Sequence, residues 1–341
     1  MHLRTAAARR LAGLVPVLCL LALVLVGCSP DHYPQTALRP LSDFAKIGDD
    51  IQTTTFKWAV AVFILVEGAL VYAIFRFRGK PNDPEPQQIH GNTTIEIIWT
   101  VIPALILAAI AVPTVKGIFE TNATPPQAGL KVEVVGHQWW WEFRYPDFKV
   151  TTANELHIPV GQTVALHMST MDVVHSFWPP RFAGKRDVFP NRETRLWFKA
   201  EKSGEYSGQC AEFCGIQHGR MGFRIVAQSP EEFKAWAGHM QSLVAKPPAA
   251  QSEGEKLFLA KGCVGCHSLN AFEAPKGLIG PNLANVGAGS YIAAGTLKNT
   301  DENLAHWIMN PQSVKKGVLM PNLGINADEA KALVAFLRAH Q

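Results

Sequence analysis

The sequence predicts a multidomain protein in which two membrane-spanning helices precede an all-β domain and a C-terminal all-α domain. Its 341 residues are enough for two or three structural units. Two long apolar stretches occur before residue 120, and short alternating apolar runs fill the middle of the chain. A Pro/Ala-rich linker, residues 246–252, then leads into helix-like segments over residues 252–341.

The first 28 residues have the pattern of a lipoprotein signal peptide. Three arginines lie in residues 1–10, residues 11–26 are apolar, and Gly27-Cys28 ends the segment. This pattern resembles a bacterial lipobox, in which the cysteine is lipidated and becomes the first mature residue. We therefore predict that residues 1–27 are removed and that Cys28 is lipidated. The alternative is a transmembrane helix with an incidental cysteine, which the short apolar segment disfavours.

Residues 28–120 are predicted to form a lipidated N-terminus and a transmembrane hairpin. The spans, at about 56–75 and 97–115, are long enough to cross a bilayer core of roughly 30 Å. The loop between them begins with Arg76 and places two arginines and a lysine within five residues, so the positive-inside rule puts it in the cytoplasm. Both ends of the hairpin then face outward. Glu67 lies inside the first span and is expected to face a partner helix or to reach the interface.

The overall charge argues against nucleic-acid binding, and the cysteine pattern argues against disulfide bonds. The formal net charge is +4, or +1 without the three arginines of the signal segment, which is too small for a nucleic-acid-binding face. The six cysteines fall into separate motifs, so we expect no disulfide.

The middle of the chain, residues 130–228, is predicted to be a β-sandwich or barrel. Its short runs alternate between apolar and polar residues and are separated by Gly, Pro, Asn and Asp. Examples of the predicted strands are Lys131–Val135, Trp139–Tyr145, Glu155–Pro159, Thr163–Met168, Thr194–Ala200 and Gly222–Val226.

A dense group of soft metal ligands lies at the end of this domain. Cys210, Cys214, His218 and Met221 occur within twelve residues, and His175 lies upstream in the motif Asp-Val-Val-His. Thiolate, imidazole and thioether together favour copper electron-transfer sites. Zinc is the alternative metal, although zinc sites rarely include a thioether.

The pattern CxExCxxxHxxM, with an upstream DxxHS, resembles the binuclear CuA loop of cytochrome c oxidase subunit II. The resemblance covers about residues 45–230 and implies a cupredoxin-like domain. It implies that Cys210 and Cys214 bridge two copper ions, with His175, His218, Met221 and the backbone carbonyl of Glu212 as terminal ligands. It also implies that the Glu212 side chain helps to hold a magnesium ion at the interface with subunit I.

Two further residues gain a role from this resemblance. Trp139, in a run of three tryptophans, corresponds to the tryptophan through which electrons enter, although the family usually has Trp-Tyr-Trp here. Core packing is the alternative role for such a cluster. Glu96, before the second span, corresponds to the glutamate at the start of a proton path into subunit I.

The C-terminal part, residues 252–341, contains a haem-attachment motif. In Cys263-Val-Gly-Cys266-His267, the two thiols are candidates for thioether bonds and His267 for an axial ligand. A redox-active CxxC is the alternative. Met309 and Met320 are the candidate second ligands, and the resemblance to class I cytochrome c selects Met320, which precedes the last predicted helix. The predicted helices are Glu253–Lys261, Glu302–Asn310 and Ala327–Ala339.

The two family resemblances together imply subunit II of a respiratory terminal oxidase of the caa type, located in the bacterial cytoplasmic membrane. Electrons from cytochrome c or another donor would pass through haem c and CuA to subunit I, where oxygen is reduced to water with proton translocation. Subunits I and III are the expected partners. A quinol oxidase subunit, which lacks the copper cysteines, and a membrane-tethered electron carrier are the alternatives.

Overall fold

A computed structural model describes residues 33–79, 83–123, 125, 129–243, 252–271 and 279–339. Two long helices, a two-sheet β domain and a helical C-terminal domain follow one another. This order confirms the predicted multidomain fold class. The predicted signal peptide, its Cys28 and linker residues 246–251 lie outside the described residues.

The two helices extend well beyond the predicted spans. Helix α1 is Asp43–Arg76, with 34 residues, and helix α2 is Thr93–Asn122, with 30 residues. Both are long and apolar enough to cross a membrane. At a rise of about 1.5 Å per residue, each exceeds a core of roughly 30 Å, so both have residues to spare outside the bilayer. The predicted spans cover only the apolar stretches, so they leave out these polar ends.

A close contact holds the two helices together near the β domain. Gly117 of α2 is buried, and a Cβ at this position would lie 2.6 Å from Cδ1 of Ile51 in α1. A small residue here lets the two backbones approach. Farther along the pair, Glu67 lines an open groove between the helices, together with Trp58 and Ile106.

The start of α1 is joined to the β domain. The Ser42 side chain caps the helix, and Ser42 also forms a backbone bridge with Ala200. The ring of Phe44 packs edge-on against Trp197, with 5.5 Å between the ring centroids. The membrane helices and the β domain are therefore fixed to each other by backbone and aromatic contacts.

The β domain is a sandwich of two five-stranded sheets. Its strands are β1 Leu130–His137, β2 Trp140–Tyr145, β3 Val150–Ala153, β4 Glu155–Pro159, β5 Thr163–Thr170, β6 His175–Trp178, β7 Arg186–Val188, β8 Thr194–Lys199, β9 Gly204–Cys210 and β10 Gly222–Gln228. The strand orders in the two sheets are β3-β2-β1-β5-β8 and β4-β10-β9-β6-β7. Each sheet contains one parallel pair, β1 with β5 and β4 with β10.

The core of the sandwich consists of aromatic rings from both sheets. Phe177 and Phe223 are stacked with 4.3 Å between their centroids, and Trp141 meets both rings edge-on. All three are fully buried. Because side chains alternate along a strand, these residues occupy the inward face and exclude water from the space beside the ligand loop.

All six strands given as examples are present, the β domain contains four further strands, and the helix that follows this domain was not predicted. Strand β9, for example, has the sequence GEYSGQC and shows no apolar alternation. The missed helix, α3, is Pro230–Ser242. Its capping box, in which Ser229 and Glu232 bond each other's backbone, was a readable signal.

The C-terminal domain has four helices among the described residues, and its three predicted helices agree with the structure to within one residue. The helices are α4 Glu253–Ala260, α5 Asp301–Met309, α6 Pro311–Val314 and α7 Ala327–Arg338. A two-stranded ribbon, β11 Tyr291–Ile292 with β12 Leu297–Lys298, lies between α4 and α5. Phe258, Leu304, Leu333 and Leu337 form part of its core.

Candidate copper and haem sites

The topology of the second sheet brings the predicted copper ligands together. Strand β9 ends at Cys210 and β10 begins at Gly222, so the loop between adjacent antiparallel strands carries the other ligands. Strand β6 pairs with β9 on its other side, where Phe177 is opposite Cys210. His175, at the start of β6, therefore lies beside a loop that is 35 residues away in sequence.

The two thiols and the two imidazoles form one compact group. The sulfur atoms of Cys210 and Cys214 are 3.8 Å apart. Nδ1 of His175 lies 3.9 Å from the Cys210 sulfur, and Nδ1 of His218 lies 3.6 Å from the Cys214 sulfur. Each imidazole thus presents one ring nitrogen to one sulfur, an arrangement that suits two metal ions with two shared thiolates.

The two remaining predicted ligands complete this group. The Met221 thioether sulfur is 3.8 Å from the Cys214 sulfur, and the backbone oxygen of Glu212 is 3.3 Å from the Cys210 sulfur. Cys210, Cys214 and Met221 are all buried. Buried soft donors of this kind fit copper better than zinc, for which a thioether is unusual.

Asp172 orients His175, a role that the sequence analysis did not assign. Its Oδ1 lies 2.8 Å from Nε2 of His175, which leaves Nδ1 for the metal side. Burial would lower the pKa of His175, but the contacts with Asp172 and Cys210 outweigh burial and raise it. The backbone N–H of Gln138 donates to Oδ2 of Asp172 at 2.6 Å and holds the carboxylate in place. A carboxylate behind a ligating imidazole commonly fixes its ring orientation.

The two thiols are electrostatically unequal. The pKa of Cys210 is lowered, chiefly because of the hydrogen bond between the two thiols, while burial opposes this. The same hydrogen bond raises the pKa of Cys214. The group therefore favours the thiolate form of Cys210, although this side chain is buried. The thiolate is the form of cysteine that binds metal.

Trp139 is connected directly to the ligand loop. Its indole Nε1–H donates to the backbone oxygen of Cys214 at 2.9 Å, and the Gln138 side chain donates to the same oxygen at 2.8 Å. Gly215 has φ +116°, and a Cβ there would lie 3.0 Å from the Trp139 ring. The ring is buried between this loop and the C-terminal domain, so it is both a packing residue and a link to the ligands.

The predicted haem ligands line one cavity. Cys263, Cys266, His267 and Met320 all contribute to its wall, whereas Met309 packs with the helical core. Trp139 and Trp140 of the β domain line the same cavity. The structure therefore favours Met320 over Met309 as the partner of His267, and it places the cavity against the tryptophan run.

The His267 ring is held in one orientation. Its Nδ1 lies 2.7 Å from the Pro281 backbone oxygen, which is an acceptor, so Nδ1 carries the proton and Nε2 is free to bind a metal. Burial is the main cause that lowers the pKa of His267, which favours the neutral, ligating form. At Gly280, a Cβ would lie 2.7 Å from Cε1 of this ring, so only glycine fits there.

The wall of this cavity also contains a hydrogen-bond donor that is free to bind a polar substituent of haem. The indole N–H of Trp140 is buried there and has no hydrogen-bond partner among the described residues. Haem carries carboxylate substituents that accept such bonds. A largely apolar cavity with two thiols, one oriented imidazole and one thioether fits covalent haem better than a redox CxxC.

Two other predicted site residues have local contacts in this structure. The Glu96 carboxylate accepts a hydrogen bond from the backbone N–H of Asn92 at 3.2 Å, at the start of α2. The Glu212 side chain lies 3.8 Å from the Lys185 ammonium and is half-exposed. Their proposed proton and magnesium roles stay predictions.

The other histidines of the β domain have polar partners of their own. His137 contacts Glu142 at 3.0 Å, His157 contacts Gln228 at 3.1 Å and His167 contacts Glu193 at 3.0 Å. These contacts give the three side chains structural roles within the β domain.

Three protein families match the chain in the order of its domains. The transmembrane domain of cytochrome c oxidase subunit II matches residues 42–116, and the periplasmic domain of that subunit matches residues 149–229. The cytochrome c family matches residues 251–341. Cytochrome c oxidase subunit 2 of Alkalihalophilus pseudofirmus is 36% identical over 94% of this chain and 95% of its own length. The chain belongs to the cytochrome c oxidase subunit 2 family.

Two more relatives show how far this similarity reaches. Cytochrome c oxidase subunit 2 of Bacillus subtilis is 32% identical over 95% of this chain and 96% of its own length. Quinol oxidase subunit 2 of Bacillus cereus is 30% identical over 70% of this chain and 82% of its own length. The full-length similarity to the cytochrome c oxidase subunits, with a cytochrome c domain at the end, confirms the predicted caa-type fusion.

Membership of this family defines the general role of the chain. It is a component of a cytochrome c oxidase and has an electron-transfer role in a terminal oxidase. Its two domain families carry copper (CuA) and haem. It works in a complex with subunit I and a cytochrome c donor, as a membrane protein with a periplasmic domain.

Proposed function

We propose that this subunit passes electrons from a reduced donor to haem c, then to binuclear CuA and then to subunit I of the oxidase. Oxygen is reduced to water in subunit I, with proton translocation. The complex lies in the bacterial cytoplasmic membrane, and both cofactor domains face its outer side. Subunit III completes the set of expected partners.

The observation that carries this proposal is the pair of cysteine sulfurs 3.8 Å apart, each with an imidazole nitrogen beside it. When bound at these residues, copper and haem supply one-electron carriers. Copper would be held by Cys210, Cys214, His175, His218, Met221 and the Glu212 carbonyl. Haem would be attached covalently through Cys263 and Cys266, and its iron would be bound by His267 and Met320.

The residues of the chain contribute rigidity and connection. Cys210 ends a strand that is paired on both sides, so the ligands change position little when an electron arrives or leaves. Asp172 orients His175, and the Pro281 carbonyl orients His267. Trp139 lies between the haem cavity and the Cys214 carbonyl and is the residue through which electrons enter the copper domain.

The finer parts of the proposal concern the membrane side of the subunit. Cys28 is lipidated after removal of residues 1–27. The Glu212 carboxylate helps to hold a magnesium ion at the interface with subunit I. Glu96 is the start of a proton path into subunit I.

The electron order is tested by rapid mixing of a reduced donor with the assembled oxidase. The variant is copper-free, with Cys210→Ser and Cys214→Ser. Haem c should be reduced at a near-normal rate and then stay reduced in the presence of oxygen. Reoxidation at the wild-type rate would show that electrons bypass the copper site, and the proposed order would be wrong.

A further inference from the structure

A lysine of the haem domain is buried against the copper domain. Lys315 follows α6, and only 2% of its surface is exposed. Its ammonium nitrogen donates to the backbone oxygen of Trp139 at 2.8 Å, across the boundary between the two domains. Lysine is almost never fully buried without a partner. Contact with solvent, the usual reason for a lysine at a protein surface, therefore does not explain this residue.

The residues on either side of Lys315 also contact the copper domain. We call Val314–Gly317 the docking segment. The Arg220 guanidinium donates to the backbone oxygen of Val314. The Gln217 side chain donates to the backbone oxygen of Lys316 at 2.7 Å. Both donors belong to the copper-ligand loop, so three consecutive residues of the haem domain contact this loop or Trp139.

Close packing at Gly317, the last residue of the docking segment, adds to the contact with the ligand loop. Gly317 has φ +82°, and a Cβ at this position would clash with Cδ1 of Ile216 in the ligand loop. Glycine therefore allows both the left-handed backbone and the close approach. Elsewhere on the same interface, the Arg224 guanidinium lies 4.0 Å from the centroid of the Tyr291 ring.

The partner of Lys315 occupies a special position in the proposed electron route. Trp139 lines the haem cavity on one side and donates through its indole N–H to the Cys214 backbone on the other. The lysine holds the backbone of this residue. Burial lowers the pKa of Lys315 to about 7, with Arg220 adding to the effect. Both the ammonium and the neutral amine keep an N–H, so either form donates to the carbonyl.

We infer that Lys315 is a positioning residue that holds the haem domain against Trp139 and so keeps the distance from haem to copper short and constant. This inference rests on the proposed function, because it assigns a purpose to the contact only if electrons pass between the two domains. Without the lysine, the hydrogen bond to Trp139 is lost and its carbonyl stays buried without that donor. The haem domain would then spend part of its time away from the copper domain.

The test compares Lys315→Met with Lys316→Met in the complete, assembled oxidase. Lys316 is the adjacent lysine, and its side chain is exposed, so this variant keeps the same charge change without the buried contact. Haem c is reduced by a light pulse, and its electron transfer to copper is followed at two solvent viscosities. Lys315→Met should slow this step by about tenfold and make it depend on viscosity, because the domain must diffuse back. Lys316→Met should be as fast as the wild type and independent of viscosity.

Copper and haem spectra distinguish a failure of the proposed function from a failure of the positioning role of Lys315. If the wild-type subunit lacks a binuclear copper signal, the proposed function fails. If Lys315→Met keeps normal copper and haem spectra and also a normal, viscosity-independent rate, the positioning role is wrong. If the Lys315 variant does not assemble, Arg220→Met tests the same docking segment from the copper-domain side. A normal rate in that variant, with normal spectra, would also contradict the inference.

Discussion

At the scale of single residues, the copper ligands differ in what they contribute. The sulfurs of Cys210 and Cys214 lie at the centre of the group, whereas the Met221 sulfur contacts only one of them, at 3.8 Å. A thiolate carries charge and binds two metals at once, but a thioether is neutral and weak. We therefore expect substitutions at these positions to have unequal effects.

The first prediction contrasts two substitutions in this loop. Cys210→Ser should abolish the mixed-valence copper signal, while Met221→Leu should keep two copper ions per chain with a modestly shifted spectrum. Leucine has a similar volume, so packing is little disturbed. Electron paramagnetic resonance and copper analysis of the purified subunit measure both effects. A normal binuclear spectrum in Cys210→Ser would refute the ligand assignment.

A buried cluster of charged side chains near the three tryptophans should make the stability of the β domain depend on pH. The Glu142 carboxylate is 1% exposed and contacts His137 at 3.0 Å and Arg144 at 2.9 Å. Burial would raise the pKa of Glu142, but the hydrogen bonds from His137 and Arg144 outweigh it and lower the pKa. The cluster therefore stabilises the domain above the unfolded pKa of about 4.3, and this contribution is lost as pH falls through the folded pKa.

The second prediction follows from the lowered pKa of Glu142. Glu142→Gln should lower the free energy of unfolding by about 2 kcal/mol at pH 7, less than for a fully buried pair because Arg144 is 32% exposed. The loss should shrink as pH falls from the unfolded pKa of about 4.3 through the lower folded pKa of Glu142, because the wild-type carboxylate then also becomes protonated. Denaturant unfolding followed by tryptophan fluorescence measures it.

The control for this prediction is Glu193→Gln. Glu193 also contacts a histidine and an arginine, His167 and Arg195, but it is half-exposed. Its effect should be much smaller, because water screens exposed pairs. Equal losses in the two variants would show that burial of the Glu142 cluster does not matter.

At the scale of elements, a tight turn orients the haem ligand. The segment around Gly280 passes against the His267 ring, and the next residue, Pro281, supplies the carbonyl that accepts from Nδ1. A side chain at Gly280 would meet both the ring and the Cys266 backbone oxygen, at 2.7 and 2.9 Å. The backbone oxygen cannot move as a flexible side chain does, so the ring must shift.

The third prediction tests this turn. Gly280→Ala should cost about 1–3 kcal/mol of stability in the haem domain, as overpacking does, and should change the haem absorption spectrum and potential. Gly265→Ala is the matched control, because a Cβ at Gly265 meets nothing within 4 Å among the described residues. If both variants behave like the wild type, the turn does not constrain His267.

At the scale of the whole molecule, the chain is attached to the membrane in two ways in our proposal. Helices α1 and α2 are both long enough to span a bilayer, and a lipid on Cys28 adds a second anchor. The start of α1 is joined to the β domain through Ser42, so the hairpin also orients the copper site relative to the membrane.

The fourth prediction concerns maturation. Intact mass spectrometry of the purified subunit should show loss of residues 1–27 and a lipid on Cys28. Cys28→Ser should block cleavage but leave the protein in the membrane, because two helices remain. A mass equal to the unmodified chain from Met1 would disprove the lipoprotein assignment.

The domain order, the candidate ligand residues and most helices could be predicted from the amino-acid sequence. Apolar periodicity and motif spacing are local properties, so Cys210, Cys214, Cys263 and His267 could be named from the chain alone. Strands such as β9 could not be predicted, because their residues are polar or small and only pairing with neighbours makes them strands.

Contacts between residues that are far apart in the sequence could not be predicted and depend on the folded chain. Strand pairing places His175 beside Cys210, 35 residues away, and reveals Asp172 as the residue that orients it. Lys315 approaches Trp139 across 176 positions of sequence. No local pattern marks such a lysine, because nothing near it in sequence distinguishes it from its exposed neighbour Lys316. Burial between two folded domains creates the difference, and burial is a property of the assembled surface rather than of the segment.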